Sequence, residues 1–235
     1  MSQKTLLFSI VLILSVTFWD SRAFNNAQNV EIDVVAEPVP EEVVDDTDAK
    51  EQAFTISAYD DLMRRISEEE GQDWLLMSSI AYHESRFEEG LVSRSGALGI
   101  MQIMPIVGKQ FNVKKEDIAD TETNIRLATM LLEEIEKMLK LPASTPQNDR
   151  MSLILASYNG GIGHIADARR LARNSGENPN SWEVVARHLR TKADPAVYES
   201  ELVRYGKFTG SKQTEAYVRE VMNRYDYYQK MAANI

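Results

Sequence analysis

The sequence predicts one mainly α-helical domain over residues 53–235, with at most a small β-ribbon. Three observations lead there. Apolar residues recur at helical spacing, most clearly at Ile125, Ala128, Leu131, Leu132, Ile135 and Leu139. Breaker signals at Gly71, Leu141-Pro142, Pro146 and Asn159-Gly160-Gly161 cut the chain into helix-sized pieces. No run alternates long enough for a strand, and Ala97–Ile103 is the single ribbon candidate. No internal repeat appears.

The chain begins with Lys4 and Thr5 ahead of an apolar run, Leu6 to Trp19, interrupted by Ser9, Ser15 and Thr17. Ser21-Arg22-Ala23 then places small residues at the −3 and −1 positions of a cleavage site. This is the layout of a secretory signal peptide over residues 1–23. The run is short of the roughly 20 apolar residues of a membrane span. An uncleaved N-terminal anchor is the alternative, and either reading exports the remainder.

Residues 24–52 hold Val, Pro and nine acids against Lys50 alone, without helical or strand period. Such a segment buries too little apolar surface to offset its ordering entropy, so it reads as an acidic disordered linker. An interaction tail is the other reading.

From there the pattern is helical. The first helix is expected over about 55–70 and the second over about 72–87. Pro105 can open a short helix toward Phe111. Asp120 or Thr121 caps a long helix through Lys140, and Asp149 caps the next, which stops at Asn159-Gly160-Gly161. A helix over about 163–173 precedes a loop at Asn174–Asn180. Ser181 caps a short helix to Arg190, with others near 195–204 and 213–231.

The net charge of −10 resides mostly in the linker, so the helical part is nearly neutral. That argues against a nucleic-acid partner. The absence of cysteine excludes disulfides, thiol nucleophiles, zinc–thiolate sites and lipid attachment through Cys. His83, His164 and His188 are too dispersed in sequence to suggest a metal site.

The chemistry centres on Ile80–Pro105. Leu76, Ile80, Glu84 and Phe87 share one helical face, which puts a carboxylate on an apolar stripe. An apolar setting and the negative end of the helix dipole both raise its pKa, which suits a general acid. A pair with Arg86 or Arg94, or plain solvation, is the bland alternative. The loop that follows contains Ser93, Gly96, Gly99 and Gln102, which bend the backbone and offer polar groups beside that acid. Ser157-Tyr158-Asn159-Gly160-Gly161 can present a tyrosine to a sugar while Asn159 caps the helix end, or be an ordinary C-cap. Tyr217, Val221 and Tyr228 read as core packing, and Met101 and Met104 as packing or cleft wall.

Taken together, Glu84-Ser85-Arg86-Phe87, the string Val92-Ser93-Arg94-Ser95-Gly96-Ala97-Leu98-Gly99-Ile100-Met101-Gln102-Ile103-Met104-Pro105, Asn124 and Ser157–Gly161 resemble the soluble lytic transglycosylase domain. Order and spacing agree over roughly residues 60–230. Tyr205-Gly206 and Tyr217-Val218 further resemble the membrane-bound F subclass.

The resemblance implies a lysozyme-like fold of the goose type, without cofactor, acting on peptidoglycan glycan strands in a bacterial periplasm or envelope. An uncleaved N-terminus would add membrane attachment. The implied reaction cuts the β-1,4 bond between N-acetylmuramic acid and N-acetylglucosamine and closes a 1,6-anhydro ring. By motif match Glu84 is the sole acid and base. Ser93, Gln102, Met104, Tyr158, Asn159 and Gln213 are the implied substrate-binding set, with Tyr158 also near the carboxyl.

Two departures stand out. The family usually reads Ala-Tyr-Asn-Ala-Gly where this chain has Ser157 and Gly160. It also commonly places Glu four residues before the late tyrosine, where Gln213 precedes Tyr217; Glu215 lies too far round a helix to replace it. A true hydrolase, or a glycan-binding scaffold without turnover, is the competing expectation.

Overall fold

The computed structural model describes residues 54–234. The expected export signal over 1–23 and acidic linker over 24–52 lie outside the described residues. The described chain is helical almost throughout, as the apolar periodicity predicts. Its helices are α1 (Asp60–Glu69), α2 (Trp74–Ser85), α3 (Pro105–Gln110), α4 (Thr121–Leu139), α5 (Gln147–Gly160), α6 (Ile162–Asn174), α7 (Trp182–Thr191), α8 (Pro195–Tyr198) and α9 (Ser211–Ala232), with a 3-10 turn at Lys115–Asp117. The ribbon is reduced to two isolated antiparallel bridges, Val92 with Leu98 and Leu98 with Ile103. No described helix is long and apolar enough to cross a membrane.

The core forms around α5, which packs against α4, α6, α7 and α9, while α2 lies along α9 and α1. Met77, Ile80, Met101, Ile125, Leu153, Ile165, Val185 and Val221 are among its fully buried side chains. Burial of this kind contributes about 1.5–3 kcal/mol for each large apolar side chain.

Several boundaries differ from expectation for identifiable reasons. The first helix starts late because Asp60 turns back to accept from Ile56 N at 2.7 Å and Ser57 N at 2.9 Å, tying down the preceding turn. The second ends at Ser85, because Arg86 and Phe87 both adopt left-handed backbone, with φ of 56° and 63°. Phe87 therefore leaves the stripe it was expected to share with Leu76, Ile80 and Glu84. Its ring instead packs against Tyr59 and Tyr82, at centroid distances of 6.4 and 6.2 Å. That packing offsets the cost of left-handed geometry, about 1–2 kcal/mol per residue.

Asp120 caps α4 as expected, accepting from Thr123 N at 2.9 Å. Asp149 does not cap its own helix. Its carboxylate accepts from Trp182 N at 2.7 Å and so caps α7, where Ser181 makes no side-chain cap. The expected helix over 195–204 is only the single turn of α8. Beyond it, the backbone amides of Arg204 and Tyr205 turn inward to a buried carboxylate, Asp167.

Candidate active site

Glu84 sits in the last turn of α2, where Ile80 on the same face is fully buried. Its side chain keeps an edge toward solvent, yet it is so closely surrounded by protein that burial lifts the carboxyl pKa to about 7. Among the described residues Glu84 forms no ion pair, so neither expected partner neutralises it. Arg86 lies instead over the Tyr82 ring, and Arg94 is exposed.

One residue opposes the rise. The Tyr217 hydroxyl lies against the carboxyl and favours its charged form. Its geometry is looser than a well-formed hydrogen bond, and the hydroxyl has no other partner among the described residues. The sequence reading of Tyr217 as core packing captured its burial but missed this contact. Its membership of the late Tyr-Val pair was the available signal.

The loop from Leu91 to Met104 forms the wall beside Glu84, held by side chains from three helices. Ser85 Oγ donates to Ile100 O at 2.8 Å. Asn124, fully buried in α4, donates through Nδ2 to Leu98 O and Ile118 O, each at 2.8 Å, and accepts from Met101 N at 2.8 Å. From α5, the Tyr158 hydroxyl donates to Met101 O at 2.8 Å. Gly99 is required at this point. Its φ is +73°, and a Cβ there would fall 2.6 Å from the Asn124 side chain.

These bonds locate the expected substrate-binding residues. Tyr158 is buried and uses its hydroxyl proton within the protein, so it positions the loop instead of presenting a free donor. Glu84 nevertheless acts on it: burial and the nearby carboxyl both raise the Tyr158 pKa. Ser93 Oγ accepts from Ala97 N at 2.9 Å, which leaves its own proton to give. Gln102 has a left-handed φ of 49°, and its Nε2 donates to Gly99 O at 2.9 Å and Leu91 O at 3.2 Å. Its amide oxygen is the end outside these bonds. Met104 is half-buried where it precedes α3, whereas Met101 belongs wholly to the core.

Asn159 does not cap the backbone of α5 as expected; Gly161 ends that helix, and Asn159 Oδ1 accepts from Thr214 Oγ1 at 3.0 Å. The neighbouring Gly160 makes this approach possible, since a Cβ there would meet Thr214 Oγ1 at 2.9 Å. Gln213 is half-buried in the first turn of α9. Glu215 turns away and forms a two-bonded pair with Arg190, so it does not stand in for the missing acid.

No second carboxylate is free beside Glu84 among the described residues. Glu88 and Glu89 are exposed, and Glu89 accepts from Thr121. Glu220 is hydrogen-bonded to His83 at 3.0 Å. The same residues hold no cluster of three or more His, Asp or Glu arranged for a metal.

Comparison with known proteins shows the family and the fold. Residues 61–181 match the profile of the Transglycosylase SLT domain. The membrane-bound lytic murein transglycosylase F of Alcanivorax borkumensis is 34% identical over 168 residues, 72% of this chain and 34% of the relative. Its namesake from Shewanella loihica is 34% identical over 66% of this chain and 31% of its own length. That from Yersinia pseudotuberculosis is 36% identical over 57% of this chain and 27% of its own. The aligned part of the chain thus spans about a third of these relatives. In structure, the 70 kDa soluble lytic transglycosylase of Escherichia coli superposes with a TM-score of 0.52 at 23% identity, covering 74% of this chain and 24% of that one. The fold is therefore the lysozyme-like one, and the chain belongs to the transglycosylase SLT domain family.

Proposed function

We propose that the chain is a peptidoglycan lytic transglycosylase that cleaves the bond from N-acetylmuramic acid to N-acetylglucosamine, with Glu84 as its single acid and base. The observation that carries this reading is a closely surrounded carboxyl, held near pKa 7, with no free carboxylate beside it among the described residues. Hydrolytic glycosidases generally use two carboxylates, one on each side of the bond. A nucleophile within the substrate removes the need for the second.

In the first step protonated Glu84 gives its proton to the glycosidic oxygen. The bond from that oxygen to C1 of the muramic acid breaks, and the oxygen leaves as the hydroxyl of the departing sugar. Glu84 is then a carboxylate, the form that the Tyr217 hydroxyl favours. In the second step it takes the proton from the C6 hydroxyl of the same muramic acid, whose oxygen bonds to C1. The anhydro ring closes and Glu84 is protonated again. With a pKa near neutrality, both forms are available at pH 7. Ser93 supplies a donor and the Gln102 amide oxygen an acceptor for the sugar, with Met104, Asn159 and Gln213 around the strand.

Residues 1–23 act in this reading as the export signal or anchor, 24–52 as a linker, and 53–235 as the catalytic unit in the cell envelope. The related proteins named membrane-bound support that location.

The test is mass spectrometry of muropeptides released from purified sacculi by the wild-type and Glu84→Gln chains. Anhydro ends from the wild type and almost none from the variant are expected. Reducing ends would show hydrolysis, and full activity in Glu84→Gln would sink the assignment.

A further inference from the structure

Beside the catalytic carboxyl, the seam between α2 and α9 opens into a second cleft of about 390 Å³ that the proposed reaction does not use. Its walls include Tyr82, His83 and Arg86 from the end of α2, and Glu220, Arg224 and Tyr227 from α9. The Arg86 guanidinium carbon lies 3.9 Å from the centre of the Tyr82 ring, and that of Arg224 lies 3.8 Å from the same centre. Two planar cations cannot occupy one face at that height, so they sandwich the ring. Among the described residues neither is in a salt bridge. The acid that lines this cleft, Glu220, is held by His83 at 3.0 Å and approached by Arg219 at 3.5 Å.

A ring face attracts a guanidinium through its quadrupole. Two cations on one ring share that attraction and repel each other, so packing alone is a poor reason for the pair. Their planar forks match carboxylate oxygens, and the Tyr82 ring spaces them for more than one. His83 links this cleft to the site. Its ring packs edge-on against Tyr217 at 4.7 Å, and Tyr217 touches Glu84. Tyr217 and His83 thus join the wall of this cleft to the carboxyl that the proposed reaction uses.

Building on the proposed function, we infer that the Tyr82–Arg86–Arg224 cleft binds the free carboxylates of the peptide stem borne by the glycan strand. Arg86 and Arg224 each hold a carboxylate in a charge-assisted pair. Glu220, at the His83 end, faces the stem's cationic groups.

The test is binding by the full chain carrying Glu84→Gln, so that no turnover is needed. The probes are a synthetic stem tetrapeptide, the same peptide with its carboxylates converted to amides, and inorganic phosphate. The tetrapeptide should bind, and adding Arg224→Gln or Arg86→Gln should raise its Kd about tenfold each, the usual effect of losing one charge-assisted hydrogen bond. Amidation should cost at least as much. On glycan, wild-type kcat/KM for stem-bearing over stem-free strands should exceed that ratio for Arg224→Gln by about tenfold. Equal binding of acid and amide peptides, or unchanged Kd in a folded Arg224→Gln protein, overturns the inference. Displacement of the peptide by phosphate at equal concentration also overturns it, because the cleft would then be a general anion site. If the wild type instead yields no anhydro product while the binding results hold, the proposed reaction fails and the peptide site stands.

Discussion

Glu84, the proposed acid and base, carries a stability cost that grows with pH. Its folded pKa of about 7 lies above the ordinary value of 4.5, so the folded state holds its proton more tightly than the unfolded chain. The linked stability is complete below pH 4.5 and is lost as pH rises through 7. At 1.36 kcal/mol per pKa unit, the loss at pH 8 is about 3 kcal/mol. Glu84→Gln should therefore be more stable than the wild type by up to that amount at pH 8, with the gain vanishing near pH 4. Urea denaturation at the two pH values measures it, and equal differences at both would contradict the burial argument. Under the proposed mechanism, in which one group is both acid and base, the same substitution should lower turnover by roughly 10³-fold or more.

Tyr217→Phe tests the opposing contact. Without its hydroxyl the carboxylate loses a stabilising neighbour, so the alkaline limb of the kcat profile should move to higher pH. An unmoved limb would mean that Tyr217 only packs. The local reading of Glu84 was available from sequence because a charge on an apolar stripe is conspicuous. Tyr217 was not, because a tyrosine on a buried stripe looks the same whether or not its hydroxyl meets an acid.

At the level of elements, the loop beside Glu84 depends on helices distant in sequence. Asn124 satisfies three buried backbone groups, on Leu98, Met101 and Ile118. Asn124→Ala should destabilise the fold by about 3 kcal/mol or more, because each stranded polar group costs about 1–3 kcal/mol. Activity should fall further than stability explains, since the freed loop bears Ser93 and Gln102. Chemical denaturation and kcat on sacculi measured on one preparation separate the two effects. Asp149→Ala should cost about 1 kcal/mol, through loss of the α7 cap and not through α5. Sequence reading assigned Asp149 to its own helix because cap signals are local by construction. The amide it serves lies 33 residues away.

At the scale of the molecule, a buried pair ties the second half of the domain together. Lys192 and Asp167 are fully buried, with Nζ to Oδ2 at 2.7 Å, and Lys192 also donates to His164 Nδ1 at 2.9 Å. Asp167→Ala leaves the lysine without its counterion and strands the Arg204 and Tyr205 amides. It should cost about 3–5 kcal/mol in thermal or urea unfolding. The His164 pKa falls to about 4, through burial and then the Lys192 charge. Its contribution to stability is full above 6.5 and is lost as pH falls through 4, the opposite sense to Glu84. Nothing in the spacing of His164, Asp167 and Lys192 announced this network, and the histidine count spoke only against a metal.

By itself the sequence determined the helical architecture, the buried acid and the family. Those rest on local periodicity, on breaker residues and on a contiguous motif, all legible along one strand of text. Tertiary structure decided where α2 stops, which helix Asp149 caps and what Asn124 and Tyr158 hold. It also brought Tyr217 to Glu84 and set Arg224 across the Tyr82 ring from Arg86. Each of these requires two groups distant in the chain to meet at hydrogen-bonding or van der Waals distance, and only packing of the whole domain sets such distances.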